Sequence, residues 1–417
     1  MKLNKLVLAS AMALAVNQAF ALPPSTTPDV QVFLSGSSAV QGALGAIVTG
    51  MMPGGFDTYY DTQTTGSNYR AYFGTVSGTG TSLDGLKVLV HNRALGGSFQ
   101  GVGPLARAQA ISRMTIDATC VLTSGKYLCP NTVTAVPDLG VSDVEPALFV
   151  GANLPTGQVA LNPTEMGHIT PTSTNSTGLG IAVTDNLYSA GVTNLSRTQI
   201  ASLFLGSYTD WSKLGVSGVS GPVLVERREA GSGTQAGTNN YFGGAPCSPS
   251  GLAMANATVA SNPTTAISGY TVVQNGDTGT LAANMNASFN AGNKAIGLIG
   301  LNKQPGASDH WHFVSIDGVA PTLSNLINGN YAFYVEQSIQ QRNTAVTDPV
   351  TQVTTPAPSG NVATFLTTFT ARAEDPAILG PLGGLAALPT NFDPTLYANT
   401  SKASKLGNSC APSQLYY

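Results

Sequence analysis

The stretch VLVERREAGSGTQAGTNNYF at residues 223–242 joins three local patterns. Its apolar start predicts a strand, two adjacent arginines lead into a Gly-Ser-Gly-Thr turn, and the polar remainder predicts a helix. A strand that passes through a turn of small residues into a helix is the repeating unit of α/β folds. The stretch therefore indicates one such unit, with positive charge at the turn.

Similar units recur along the 417 residues, and strands that alternate with helices predict an α/β fold with substantially parallel sheets. At roughly 100–200 residues per domain, the length suggests two domains. The polar, turn-rich residues 170–178 predict a break that could act as a hinge. The other predicted strands are 30–36, 86–91, 178–185 and 294–301, and the other predicted helices are 195–206, 331–342 and 362–373.

The first residues predict a secretory signal peptide at 1–21. Lys2 and Lys5 precede an apolar run at 6–16, and the sequence Ala-Phe-Ala that ends at Ala21 is a small-x-small cleavage site. The apolar run is too short to cross a membrane. No cysteine follows the cleavage site, so no lipid anchor is expected. We expect a periplasmic or secreted protein.

Charge is sparse in this chain. It holds 18 basic and 21 acidic residues, and only 9% of its residues are charged, compared with roughly 25% in an average soluble protein. Such a surface has no basic field, so we expect neither nucleic acid nor an anionic membrane as a partner. No pattern indicates a cofactor. Two adjacent arginines are therefore unusual in this chain.

The four cysteines predict two disulfides, because their number is even and the chain is exported. Three pairings are possible. Cys120 and Cys129 flank a Ser-Gly turn that reads as a hairpin, which leaves Cys247 and Cys410 to join distant segments. The alternative of a metal site lacks the Cys-x2-Cys spacing and has few histidines to draw on.

The opening stretch has the residues of a small-anion site. Gly231 and Gly233 allow successive amides to turn toward one point, and a helix that begins at Ser232 or Thr234 directs further N–H groups there. Arg228 offers a planar fork for two hydrogen bonds to an oxyanion. A flexible solvated loop is the alternative for this stretch taken alone.

Three other turns have matching chemistry. Ser37 and Ser38 follow a predicted strand, Ser67 lies in a second polar turn, and Asp143 follows Ser142 after an apolar run. A carboxylate suits one kind of anion, because hydrogenphosphate can donate its proton to it. Sulfate carries no such proton and would be repelled.

Together these motifs resemble the periplasmic phosphate-binding proteins of ABC importers. The resemblance covers most of the mature chain, and its motifs occur in the order found in that family. They are SGSSA at 35–39, TTGSN at 64–68, LGVSDVEP at 139–146, LSRTQIASLFLGSYTDW at 195–211, REAGSGT at 228–234 and IDGVAPTLSNLINGNYAFYVEQ at 316–337.

The resemblance implies a two-lobed periplasmic-binding-protein fold, type II-like, with the ligand in a cleft between the lobes and two hinge crossovers. Lobe I would contain 22–176 and 309–417, with an insertion at about 78–136, and lobe II would contain 177–308. It also implies a monomer without catalysis whose closure is read by a membrane permease. The implied phosphate ligands are Ser38, Ala39, Ser67, Asp143, Arg228, Ser232, Gly233 and Thr234.

Two departures from the family pattern bear on the site. Ala230 stands where the family has an aspartate, so Arg228 lacks its usual orienting partner, which Glu229 would have to replace. The segment 78–136 is much longer than its counterpart. We expect it to decorate the first lobe, and the alternative is that it reaches the cleft and alters selectivity.

Other candidate sites carry less support. The sequence Asp-His-Trp-His at 309–312 has too few neighbouring ligands for a metal site. No histidine or carboxylate cluster supports the third possibility, a phosphate-ester hydrolase. Arg227 should point away from Arg228 on a strand, toward the surface or the other lobe.

Two alternatives to this function remain open. The protein could be a secreted scavenger or matrix protein without an importer, and its ligand could be arsenate in place of phosphate.

Overall fold

The computed structural model describes residues 22–38, 41–62 and 68–417. The predicted signal peptide at 1–21 lies outside these residues. The strands are β1 (Val30–Gly36), β2 (Phe56–Tyr60), β3 (Tyr69–Thr75), β4 (Lys87–Arg93), β5 (Ile111–Met114), β6 (Val121–Thr123), β7 (Lys126–Leu128), β8 (Thr132–Ala135), β9 (Leu139–Ser142), β10 (Ile169–Thr184), β11 (Asn194–Leu195), β12 (Leu224–Arg228), β13 (Thr271–Asn275), β14 (Ala295–Gly300), β15 (Trp311–Ile316), β16 (Tyr334–Arg342), β17 (Val346–Thr347), β18 (Thr354–Thr355), β19 (Leu385–Ala387), β20 (Ala403–Ser404) and β21 (Gln414–Leu415).

Helices connect many of these strands. They are α1 (Gln41–Thr49), α2 (Gly103–Ala106), α3 (Pro163–Gly167), α4 (Asp185–Tyr188), α5 (Arg197–Phe204), α6 (Gly233–Thr238), α7 (Thr278–Asn290), α8 (Leu323–Ile327), α9 (Gly360–Glu374) and α10 (Pro376–Leu379). A single π-helical turn, Asn239–Gly243, extends α6.

The described strands form mainly one mixed sheet, in the order β13-β12-β14-β10-β16-β9-β1-β4-β3-β2-β7-β6. Two apolar clusters divide it. The first lobe packs α1 and α9 on β1 and its neighbours, through residues such as Leu44 and Phe369. The second lobe packs α5 and α7 around β12, β14 and the end of β10, and its apolar cluster includes the fully buried Trp211. The predicted two-lobed α/β fold is confirmed.

The strand β10 belongs to both lobes. Its first residues pair with β16 and its last residues pair with β14 and β15, in each case antiparallel. Residues 170–178, predicted as a turn-rich break, are therefore strand, because β16 and β19 pair with their backbone groups. The sheets are mixed rather than mainly parallel at this junction.

The segment 331–342 was predicted to be helical, and that prediction is wrong. Its residues form β16, which lies between β10 and β9. Nearly every residue of the strand is buried, so it lacks the alternation that marks a half-exposed strand. The strand β15 pairs with second-lobe strands, so the chain returns to the first sheet between Ile316 and Tyr334. The lobe boundaries at 176/177 and 308/309 stay predictions.

Both expected disulfides are present, Cys120–Cys129 and Cys247–Cys410. The first closes the predicted hairpin of β6 and β7, whose turn has two residues with positive φ. The second ties the C-terminal tail to the second lobe, where Cys247 packs against the core. The tail also contacts β16, because both carboxylate oxygens of Glu336 accept hydrogen bonds from tail amides.

One buried carboxyl lies at the centre of the second lobe. Glu226 in β12 is fully buried and accepts hydrogen bonds from Asn275 Nδ2 at 2.9 Å and Ser288 Oγ at 3.1 Å. Burial raises the pKa of Glu226 from 4.5 to about 7, and the two hydrogen bonds oppose that rise only in part. The folded state therefore binds a proton between these pH values that the unfolded state has lost.

We predict that Glu226→Gln removes a pH-dependent loss of stability. The protonated carboxyl contributes fully below the unfolded pKa, and this contribution is lost as pH rises through the folded pKa. The variant should therefore unfold at a higher temperature than the parent at pH 8. Relative to the parent, its free energy of unfolding should rise by roughly 2–3 kcal/mol between pH 4.5 and 8.

Thermal unfolding at several pH values checks this. The control Glu165→Gln removes a carboxylate whose pKa is lowered by its hydrogen bond from Arg107, so it should not stabilise the protein at pH 8. An equal shift of Glu226→Gln at pH 5 and pH 8 would contradict the prediction.

Candidate functional site

The candidate site lies where two pairs of parallel strands end, one pair in each lobe. In the first lobe, β1 and β9 are parallel neighbours, and Ser37, Ser38 and Asp143 follow their last residues. In the second lobe, β12 and β13 are parallel neighbours. Their ends carry Arg228 and the segment 275–278. Because side chains beyond the carboxyl ends of parallel strands meet at one edge, such edges are the usual ligand sites of α/β folds.

Arg228 is the most buried cation of this site, with 1% of its surface exposed. Its guanidinium donates to Gly276 O at 2.8 Å and, at 3.0 Å each, to the hydroxyls of Ser38 and Thr278. Its Nε donates to the Asn275 carbonyl oxygen at 3.3 Å. All these acceptors are neutral oxygens, and among the described residues no carboxylate forms a salt bridge with it.

The electrostatics of Arg228 follow from that burial. Desolvation lowers the pKa of the guanidinium, while the nearby carboxylates of Glu229, Asp143 and Asp277 act in the opposite direction. Since arginine starts from a pKa above 12, it stays charged at neutral pH. The sequence leaves open whether Glu229 replaces the missing aspartate. Among the described residues Glu229 forms no salt bridge with Arg228, and the carbonyls of residues 275 and 276 accept from the guanidinium instead.

Asp143 joins the two lobes. Its carboxylate accepts from the Ser37 hydroxyl, and from Thr234 through both the backbone N–H at 3.1 Å and the hydroxyl at 3.0 Å. The Asp143 N–H donates to Ser98 Oγ at 3.2 Å. The side chain is 2% exposed. A carboxylate with this many donors around it is held firmly in one orientation.

The Gly-Ser-Gly-Thr turn fits closely against the first lobe. Gly231 has φ 91°, a conformation that glycine adopts without strain. Ser232 caps α6 by accepting from the Gln235 N–H at 3.4 Å. A Cβ on Gly233 would lie 2.7 Å from Ser98 Oγ and 2.8 Å from Asp143 Cβ. The second glycine of the motif is therefore required by the approach of the two lobes.

Most of the predicted ligand residues lie close together at the junction of the lobes. Ala39 and Ser67 lie outside the described residues, so their positions stay predictions. The contact of the remaining residues with phosphate also stays a prediction. The predicted residues that the structure groups at the junction of the lobes are Ser38, Asp143, Arg228, Ser232, Gly233 and Thr234.

Two residues of the site were missed. Thr278 begins α7 and had no local signal, and Ser98 lies within the segment 78–136. That segment was expected to decorate the first lobe, but residues 97–99 pack against the turn, with Phe99 N donating to Gly231 O at 2.9 Å. The alternative that the insertion reaches the cleft is therefore correct for these residues. The Gly-Gly-Ser sequence at 96–98 was the available clue.

Arg227 lies on the opposite face of β12, as predicted, but not at the surface. It is 4% exposed, and its Nη1 donates to the carbonyl oxygens of Met254 at 3.3 Å and Ala255 at 2.9 Å. The prediction of a surface or inter-lobe role is wrong, because both faces of this parallel part of the sheet are covered.

The Asp-His-Trp-His motif at 309–312 leads into β15, which pairs with β10 and β11. His310 Nδ1 and His312 Nε2 contact the two carboxylate oxygens of Asp185 at 3.0 and 2.9 Å. Within residues 22–38, 41–62 and 68–417, no group of three or more His, Cys, Asp or Glu side chains is placed to hold a metal ion. Over the same residues, no helix has the length and apolar character to span a membrane.

No protein-family model matches the chain, and no curated protein is significantly similar to it. Several solved structures similar to it are named as phosphate-binding proteins. One is named as a phosphate ABC transporter substrate-binding protein with bound phosphate from Clostridium perfringens, with 16% identity, a TM-score of 0.49, and coverage of 85% of this chain and 98% of that one.

Two further solved structures are similar. An ABC-type phosphate transport receptor from Vibrio cholerae has 14% identity, a TM-score of 0.46, and coverage of 84% and 98% of the two chains. A phosphate-binding protein from Stenotrophomonas maltophilia has 13% identity, a TM-score of 0.42, and coverage of 89% and 99%. Because these identities and scores are low, the function of this chain is inferred from its own side chains.

We predict that Gly233→Ala destabilises the contact between the two lobes. The added methyl group would overlap Ser98 and Asp143, and forcing extra atoms into a packed site costs about 1–3 kcal/mol. Gly42→Ala is the control, because nothing lies within 4 Å of its Cβ position in α1, where alanine is favoured by up to about 1 kcal/mol. Chemical denaturation measures both variants, and equal stability of the two would refute the prediction.

Proposed function

We propose that this chain is an exported binding protein that holds inorganic phosphate between its two lobes and does not catalyse a reaction. The observation that carries the proposal is the buried guanidinium of Arg228, whose hydrogen bonds go to neutral oxygens. A buried charge of this kind is costly unless a partner of opposite charge offsets it. A small oxyanion at the junction would supply that partner.

Asp143 supports phosphate among the oxyanions. An ionised carboxylate accepts hydrogen bonds and cannot donate them. Hydrogenphosphate can donate its own proton to Asp143 while its other oxygens accept from Arg228 and from the hydroxyl of Ser38. Sulfate would leave the carboxylate facing a second anion without a hydrogen bond between them.

A binding role is favoured over catalysis by the positions of the histidines. His310 and His312 pair with Asp185, and His168 Nδ1 lies 2.8 Å from Ala106 O. His91 contacts Gln31 and Arg113, and burial together with Arg113 lowers the pKa of His91 to about 3. Among the described residues, none of these four histidines forms a hydrogen bond with a serine or threonine hydroxyl that could serve as a nucleophile.

Export and delivery to an importer are part of the proposal. The sequence at 1–21 and the two disulfides favour an oxidising compartment outside the cytoplasm. A permease partner would read the closure of the lobes around the ion. A secreted scavenger would use the same site without a permease, and fractionation of periplasm and medium separates the two.

We predict that Arg228→Gln abolishes most phosphate binding. Removing a buried charge that pairs with the ligand should lower the affinity by about two orders of magnitude or more. Isothermal titration with phosphate measures this effect.

Arg227→Gln is the matched control. It removes a neighbouring buried guanidinium from the same strand, yet that side chain faces carbonyls inside the second lobe. Its affinity should stay near that of the parent, with both variants first shown to be folded by circular dichroism. Equal losses in the two variants would count against the proposed site.

We predict that Asp143→Asn reduces the preference for phosphate over sulfate. The amide can donate to a sulfate oxygen, so the ratio of the two affinities should fall by about tenfold or more. Asp138→Asn is the control, because Asp138 is a partly buried carboxylate of the same lobe that accepts from Phe33 N at 2.9 Å. Titration with both ions at fixed ionic strength tests this, and an unchanged ratio would contradict the assignment.

A further inference from the structure

A cavity of about 190 Å³ lies beside the candidate phosphate site. Both lobes contribute to its lining. Gln41, Asn68 and Arg70 come from the first lobe, and Asp277 and Lys303 come from the second. The cavity is therefore part of the same junction, and it would change shape with any movement of the lobes.

Two hydroxyl groups connect this cavity to Arg228. Ser38 and Thr278 line the cavity, and each accepts a hydrogen bond of 3.0 Å from the Arg228 guanidinium. An oxyanion held by Arg228 and Ser38 would thus have the cavity as its immediate neighbour. A substituent on that oxyanion could extend into the cavity without displacing the residues around Asp143.

The cavity carries positive charge in a chain that has little charge. Arg70 and Lys303 approach it from opposite lobes, and among the described residues neither forms a salt bridge. The Arg70 Nε is buried without a hydrogen-bond partner in the described part of the chain. Asp277 is the carboxylate among the described residues of the lining, and the N–H and hydroxyl of Thr280 donate to it at 2.8 and 2.6 Å.

We infer that the site accepts phosphate compounds that carry a second anionic group, of which inorganic diphosphate is the smallest. This inference rests on the proposed phosphate site. One phosphoryl group occupies the position at Arg228, Ser38 and Asp143. The second group lies in the cavity, where Arg70 and Lys303 offer charge-assisted hydrogen bonds.

The test compares three ligands by isothermal titration in metal-free buffer: inorganic phosphate, diphosphate and glycerol phosphate. Diphosphate should bind at least about tenfold more tightly than phosphate, as expected for one or two charge-assisted hydrogen bonds. Glycerol phosphate would place a neutral group in the cavity, so its affinity should exceed that of phosphate by a much smaller factor. Diphosphate binding no tighter than phosphate, or an equal gain with glycerol phosphate, would overturn the inference.

The variants Arg70→Gln and Lys303→Gln, alone and combined, test whether the second phosphoryl group of diphosphate binds in the cavity. Both side chains are at least partly exposed, so folding should be preserved. The combined variant should lose the advantage of diphosphate, about tenfold, while its affinity for phosphate stays within about threefold of the parent. Equal losses for both ions would overturn the inference. A parent protein that binds neither ion would instead contradict the proposed function itself.

Discussion

The buried charge of Arg228 is the constraint around which the junction of the lobes is organised. Removing a guanidinium from water costs several kcal/mol unless its donors are satisfied. Here two backbone carbonyls from the end of β13 and two hydroxyls, one from each lobe, accept its hydrogen bonds. These hydrogen bonds fix the orientation of the guanidinium. Among the described residues, no carboxylate forms a salt bridge with it. That combination favours an anion over a neutral ligand.

The sheet topology explains why so few residues make this site. The parallel pairs β1–β9 and β12–β13 end at the same junction, so the ends of four strands and the segments that follow them supply most of the groups described, and Ser98 comes from the segment after β4. Asp143 then links the first lobe to Thr234 in the second. The glycines of the turn permit this approach, because a side chain at Gly233 would occupy the space of Ser98 and Asp143.

Much of this could be predicted from local patterns, and the failures have physical causes. The strand, turn and helix at 223–242 are predictable because an apolar run, glycines and a capping serine act within a few residues. The strand β16 was misassigned because neighbouring strands and covering elements bury both of its faces, which removes the period of two. Arg227 was misplaced for the same reason.

Ser98 and Thr278 could not be found by local pattern. Each joins the site only through folding, Ser98 by contact with Asp143 and Thr278 by contact with Arg228. The same holds for Arg70 and Lys303, which come together from opposite lobes at one cavity. Sequence reasoning identifies the loops that follow strands, but it does not show which distant loops meet.

The continuous strand β10 has a consequence for how the lobes can move. It changes partner between neighbouring residues, since Gly178 pairs with Tyr334 of β16 and Leu179 pairs with Gly300 of β14. A strand in a sheet carries a right-handed twist about its own axis, which its hydrogen-bonded partners on each side share. Rotation of one lobe against the other would therefore have to change the twist of β10 at the point where its partners change.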